Sequence, residues 1–163
     1  MISEQLQEDA LILSLVEQFG AAIESANLQH DQRIVYVKPE EIAKVAQYLR
    51  DEHRFNRLST VTAVDWYPQE PRFEVVYNLH SIADNQRLRL KCRLDSASAT
   101  LPSVTGVWPG ANWYEREVFD LFGVNFEGHP DQRRIMMPYD WEGHPLRKDF
   151  PVHGHKYDYG EMK

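Results

Sequence analysis

Residues 111–151 read ANWYEREVFDLFGVNFEGHPDQRRIMMPYDWEGHPLRKDFP, and most of the side chains that could carry chemistry fall in or just after this stretch. Glu117 and Asp120 form an i,i+3 carboxylate pair, an arrangement in which mutual repulsion can drive two pKa values apart and divide the work of acid and base. Arg116 argues against that use, because a fixed cation favours both ionised forms and predicts a structural ion-pair network. His129, Asp131, His144, Asp149, His153 and His155 raise the question of a metal. Their spacing is poor: His129 and His144 sit in separate Gly-His-Pro triplets, and only His153 and His155 are close. A small metal-dependent hydrolase using His129, Asp131, His153 and His155 is the enzyme this set would make. Hydrogen bonding of the imidazoles to a partner's backbone or carboxylates is the simpler use, with no metal. Arg133, Arg134, Met136, Met137, Trp141 and Arg147 are of the types that interfaces concentrate.

These residues need elements to position them. Asn112 with Glu115 has the form of a capping box and Gly123 that of a helix stop, so a short helix is predicted over 113–122. Tyr114, Val118, Phe119, Leu121 and Phe122 would share its apolar arc, with Arg116, Glu117 and Asp120 on the exposed side and Arg116 paired to Asp120. Upstream, residues 3–19 carry helical apolar spacing, 33–38 form a β-branched strand, and Pro39 with Glu40 and Glu41 opens a second helix. Strands at 57–66, 72–80 and 86–94, separated by short turn-forming links, predict an antiparallel meander. The expected fold is α+β: a small, mostly antiparallel sheet with packed helices, then a short helix and a long extended C-terminal tail. The divisions are an α/β domain over 1–110, the helix over 111–123 and a partner-binding tail over 124–163. In the last strand Leu88, Leu90, Cys92 and Leu94 face inward, leaving Arg87, Arg89, Lys91 and Arg93 as a solvated outer row.

Composition narrows the function further. No apolar run approaches the roughly 20 residues of a membrane span, and the early stretch ALILSLVEQFG follows acids, unlike a secretory signal. A net charge of −7 argues against nucleic acid as the main ligand. The single cysteine, Cys92, excludes an intrachain disulfide or a multi-cysteine cluster site made by this chain, and suits a reducing cytosolic setting.

Residues 113–163 hold Trp113, Tyr114, Phe119, Phe122, Phe126, Tyr139, Trp141, Phe150, Tyr157 and Tyr159, more than half of the chain's aromatics, with prolines 130, 138, 145 and 151 blocking regular structure. Such a tail predicts an outside surface to lie on; a loop wrapped over its own domain is the alternative. The stretch EREVFDLFGVNFEGHPDQRRIMM, residues 115–137, resembles the signature of the 30 kDa (NuoC) subunit of respiratory NADH:quinone oxidoreductase, complex I. Glu115, Arg116, Glu117, Asp120, His129, Arg133, Ile135 and Met136 carry the resemblance, and DWEGHPLRKDFP extends it through His144, Arg147 and Asp149. The resemblance implies a peripheral-arm subunit of a proton-translocating enzyme on the cytoplasmic face of the cell inner membrane. The complex uses NADH, FMN, iron–sulfur clusters and quinone, while this subunit has no flavin, cluster, quinone or catalytic site of its own. Its tail would lie on the quinone-site (D-type) subunit, here a separate chain, near other peripheral-arm subunits. Related membrane-bound hydrogenases and oxidoreductases contain similar subunits.

Overall fold

The computed structural model describes residues 2–151. The N-terminal helical pattern splits in two: a 3-10 turn over Glu4–Leu6, then helix α1, Ala10–Phe19. Asp9 makes the break. It is extended, its carboxylate accepts from the Leu11 and Ile12 amides at 3.1 and 3.2 Å, and Arg33 holds it at 2.6 Å.

Strand β1, Ile23–Gln29, turns back through His30 and Asp31, both at positive φ, into β2, Gln32–Val37. The sequence reading missed β1 because only Ala26 among its seven residues is buried, which leaves no apolar alternation to detect. Pro39 opens a 3-10 turn that runs into α2, Ile42–Asp51, whose Ile42, Val45, Ala46 and Leu49 are buried. The meander follows as β3, Arg57–Asp65, β4, Phe73–Ser81, and β5, Gln86–Leu94.

The five strands form one sheet in the order β1-β2-β5-β4-β3, antiparallel throughout except for the β2–β5 pair. Register sets the core: Ala26, Val35, Leu90, Tyr77 and Val61 are successive cross-strand partners, all buried. Cys92, Val75 and Ala63 form the next row, and these residues cluster with the buried faces of α1 and α2. The α+β fold expected from the sequence is the fold observed.

The outer row needs correction, for only part of it is solvated. Arg87 and Arg93 are exposed, but Arg89 and Lys91 are half-buried. Glu74, only 3% exposed, accepts from Lys91 at 2.7 Å and lies 3.8 Å from Arg93, with the Tyr36 ring against both cations.

Beyond β5, a three-residue strand β6, Thr100–Pro102, leads to helix α3, Ala111–Phe122, and a parallel partner strand β7, Asn125–Glu127. The β6–α3–β7 unit is tied to the domain by Trp108, whose Nε1 donates to the Phe55 carbonyl at 3.1 Å, and by Arg50, which donates to the Val107 carbonyl at 2.6 Å.

Candidate functional site

Helix α3 buries charge where the sequence predicted an exposed polar face. Its buried residues are Ala111, Glu115, Arg116, Val118, Asp120 and Phe122, while Tyr114, Phe119 and Leu121 are not fully buried and Glu117 is exposed. Nor does Asn112 form the capping box: Gly110 occupies the N-cap and makes no side-chain cap bond. Glu115 points inward instead, accepting from the Val104 amide at 2.7 Å and the Ser103 hydroxyl at 2.6 Å. Burial pushes its carboxyl up to about 7, with those two hydrogen bonds pulling the other way.

Arg116 and Asp120 do not pair with each other. Each reaches the segment after β7, which returns along the helix as a strap. The Arg116 guanidinium donates to the carbonyls of Arg133 and Arg134 at 3.0 and 3.2 Å and lies over the Trp113 ring. Asp120 Oδ2 accepts from three successive amides, those of Ile135, Met136 and Met137, at 2.9, 2.8 and 2.9 Å. Its Oδ1 takes Arg134 Nη1 at 2.6 Å. Burial opposes ionisation of this carboxyl, but the amides and the guanidinium outweigh it and hold the pKa below the usual range. A backbone concavity closed on a carboxylate is an anion nest, here filled by the chain itself.

The rest of the strap caps the helix. His144 Nδ1 donates to the Asp120 carbonyl at 2.9 Å, and burial holds its imidazole below the usual pKa. Arg147 Nε donates to the Phe122 carbonyl at 2.5 Å, placing a cation at the negative end of the helix dipole. Gly123 follows at φ +74°, and a Cβ there would run into Arg147 and His144. The strap's end is clamped by Arg72, which makes two-pronged contacts to both Asp65 and Asp149 at 2.6–3.0 Å. Burial resists ionisation of Asp65, but Arg72 and the Lys148 and Tyr67 amides bring it to about 2. Arg72 also lowers the pKa of Asp149. Sequence reasoning missed Arg72 and Asp65, since a strand-end arginine and a partner 77 positions away leave no periodic signal.

The metal-dependent arrangement is not assembled by the described residues. His129 is fully engaged: Nε2 donates to the Asn112 carbonyl at 3.2 Å and Nδ1 accepts from the Asp131 amide at 3.0 Å. That leaves it no lone pair for a ligand bond. The Asp131 carboxylate is paired to Arg133 at 2.8 Å, and among the described residues no three His, Cys, Asp or Glu side chains group to hold an ion. His153 and His155 lie outside the described residues.

What the strap leaves outside is apolar. Trp113 is 60% exposed, Met136 63%, Tyr139 80% and Leu146 51%. Trp141 stacks on Phe150, and its indole Nε1 is buried without a hydrogen-bond partner among the described residues.

Fold and site together define a class: an α+β chain whose helix α3, with its buried charges, is clasped by the strap that follows it. The chain belongs to the family described as respiratory-chain NADH dehydrogenase, 30 Kd subunit, which it matches over residues 35–156. It is 56% identical over 120 residues to the NADH-quinone oxidoreductase C subunit of Roseiflexus sp. (strain RS-1), covering 72% of this chain and 69% of the relative. The protein of the same name from Geotalea uraniireducens is 42% identical over 153 residues, covering 94% and 93%. Among solved structures, the trypsin-resistant fragment of Nqo5 superposes with a TM-score of 0.64 at 31% identity, covering 74% of this chain and 98% of that one. A chain of the membrane-bound sulfane sulfur reductase, an archaeal respiratory membrane complex, gives 0.70 at 29%, covering 87% and 84%.

Proposed function

We propose that this chain is a non-catalytic component of a membrane-bound, proton-translocating NADH:quinone oxidoreductase, in which α3 and the strap form the surface that braces the quinone-site subunit and the neighbouring electron-transfer subunits. One observation carries the reading. Of the buried charged groups of α3, Arg116 and Asp120 are spent on the chain's own strap and Glu115 on Ser103 and Val104, while Trp113, Met136, Tyr139 and Leu146 on α3 and the strap stay exposed. A site for chemistry needs free acids, bases or donors aimed into a cavity; an interface needs rigid, exposed aromatics and methionine. Glu117, exposed on α3, and Arg133 fit the polar rim of such a contact. The names of the relatives support the assignment to NADH-quinone oxidoreductase, and the archaeal neighbour supports equivalent use in related membrane complexes.

Flavin, clusters and quinone then belong to other subunits. Cys92, the only cysteine, is fully buried, and burial raises its thiol pKa far above the usual value, which suits neither a cluster ligand nor a nucleophile. No helix among the described residues is long and apolar enough to cross a membrane. On this reading, attachment runs through partner subunits on the cytoplasmic face of the cell inner membrane. The test is recovery of the complex in mild detergent from membranes carrying Trp113→Ser, Met136→Ser and Tyr139→Ser together. The chain should stay folded yet lose the quinone-site subunit and NADH:quinone activity; full co-purification would remove this surface from the interface.

A further inference from the structure

The open face of the sheet carries a second charged feature that the strap and its interface do not use. At one end Glu74 pairs with Lys91 at 2.7 Å and lies 3.8 Å from Arg93. At the other end Arg57, His80 and Arg87 are direct cross-strand partners across β3, β4 and β5, so their side chains share one face. Arg57 and Arg87 therefore flank His80 from either side, two guanidinium groups on one face with no carboxylate in the row between them. The adjacent row is Thr60, Asn78 and Arg89, past a register shift in β3 between Leu58 and Thr60. Among the described residues no carboxylate pairs with Arg57, Arg87 or Arg89, although the chain carries a net charge of −7. Asp84, on the β4–β5 turn, is already taken by Arg54 and Ser81.

The neutral groups add donors. Arg89 is held by amide oxygens, Asn78 Oδ1 at 2.9 Å and Gln32 Oε1 at 2.8 Å, which fix the guanidinium without cancelling its charge. Both amide NH2 groups are thereby left as donors. Ser59 contributes a hydroxyl to the same groove, Thr60 Oγ1 already donates to the Val61 carbonyl, and His80 Nε2 is buried without a hydrogen-bond partner among the described residues. The groove measures about 480 Å³, within the range of small-molecule sites.

We infer that this groove binds a phosphate group, as a phosphate ester or diphosphate, through Arg57, Arg87 and Arg89. Guanidinium forks match phosphate oxygens, and the hydroxyl and amide donors fill the remaining lone pairs. The test is titration calorimetry of the full chain with inorganic pyrophosphate at about 0.15 M salt, where loose surface attraction is screened, and flotation with vesicles of phosphatidylcholine with and without phosphatidylglycerol. Saturable pyrophosphate binding, weakened at least about tenfold in R57Q/R87Q and unchanged in R93Q, supports a soluble phosphate compound. Arginine-dependent capture by the anionic vesicles alone supports the same chemistry carried on a lipid headgroup. Equal loss in R93Q would mean diffuse attraction and overturn the site, as would absence of arginine-dependent binding to either probe. Release of R57Q/R87Q from the assembled enzyme without any anion binding would overturn it too, making the row a protein contact.

Discussion

Asp120 shows at the scale of one residue how much of the strap hangs on a single carboxylate. It accepts four strong hydrogen bonds, three from consecutive amides. Asp120→Asn keeps the shape but loses the charge and turns an amide NH2 towards donors. We expect a loss of about 3 kcal/mol, the scale for breaking a buried pair, read by urea denaturation. Because its folded pKa is depressed, Asp120 contributes stability at neutral pH that is lost as pH falls through the acid range. Glu115 has the opposite sign. Its folded pKa of about 7 lies above the ordinary 4.5, so the native state holds a proton that the unfolded chain has released between those pH values. Its contribution therefore declines from pH 4.5 to about 7 and is level above that, on the order of 3 kcal/mol in all. Glu115→Gln should flatten that decline, and melting temperatures measured between pH 5 and 8 would show it; an unchanged slope would mean that Glu115 is ionised in the fold.

At the scale of elements, α3 and the strap stabilise one another. Arg147 at the helix C-terminus and Gly123 at positive φ set where the chain turns back. Gly123→Ala imposes a left-handed backbone on a residue with a Cβ, at about 1–2 kcal/mol, and adds the collision with Arg147 and His144. The expected result is a lower melting temperature with early tryptic cleavage between residues 128 and 148. Asp149→Asn acts on the other end of the strap, leaving Arg72 with Asp65 alone. Since Asp149 is 42% exposed in its side chain, we expect under about 1 kcal/mol of global stability but faster proteolysis near Arg147.

For the whole molecule, one apolar cluster runs through the sheet, the first two helices and the inner side of α3, and on the proposed function the outer side of α3 and the strap are the interface. Tyr139→Ser and Met136→Ser change side chains that are mostly exposed, so stability should move within about 0.5 kcal/mol while assembly fails. Arg134→Ala is different in kind. It removes the Asp120 partner and a contact to the Gly143 carbonyl, so it should weaken both fold and assembly. Thermal melting of the free chain alongside recovery of the complex separates the two effects.

By itself the sequence determined the elements whose periodicity is strong. The meander, β2, the second helix, the C-terminal half of the first and the stop at Gly123 follow from alternation, helical spacing, proline and glycine, because these are local properties of the backbone. It also determined the family, since the order of Glu115, Arg116, Asp120, His129 and Arg133 along the chain is specific. Only the tertiary structure decided what those residues do. Arg116 and Asp120 read as an exposed i,i+4 pair because nothing in their spacing reveals that residues 133–137 would cover them. Glu115 read as a cap because its partners, Ser103 and Val104, come from a loop rather than from the helix. β1 stayed hidden because its pairing, and not its composition, makes it a strand. A buried charge is placed by the donors that fold around it, and those donors were far away in the chain.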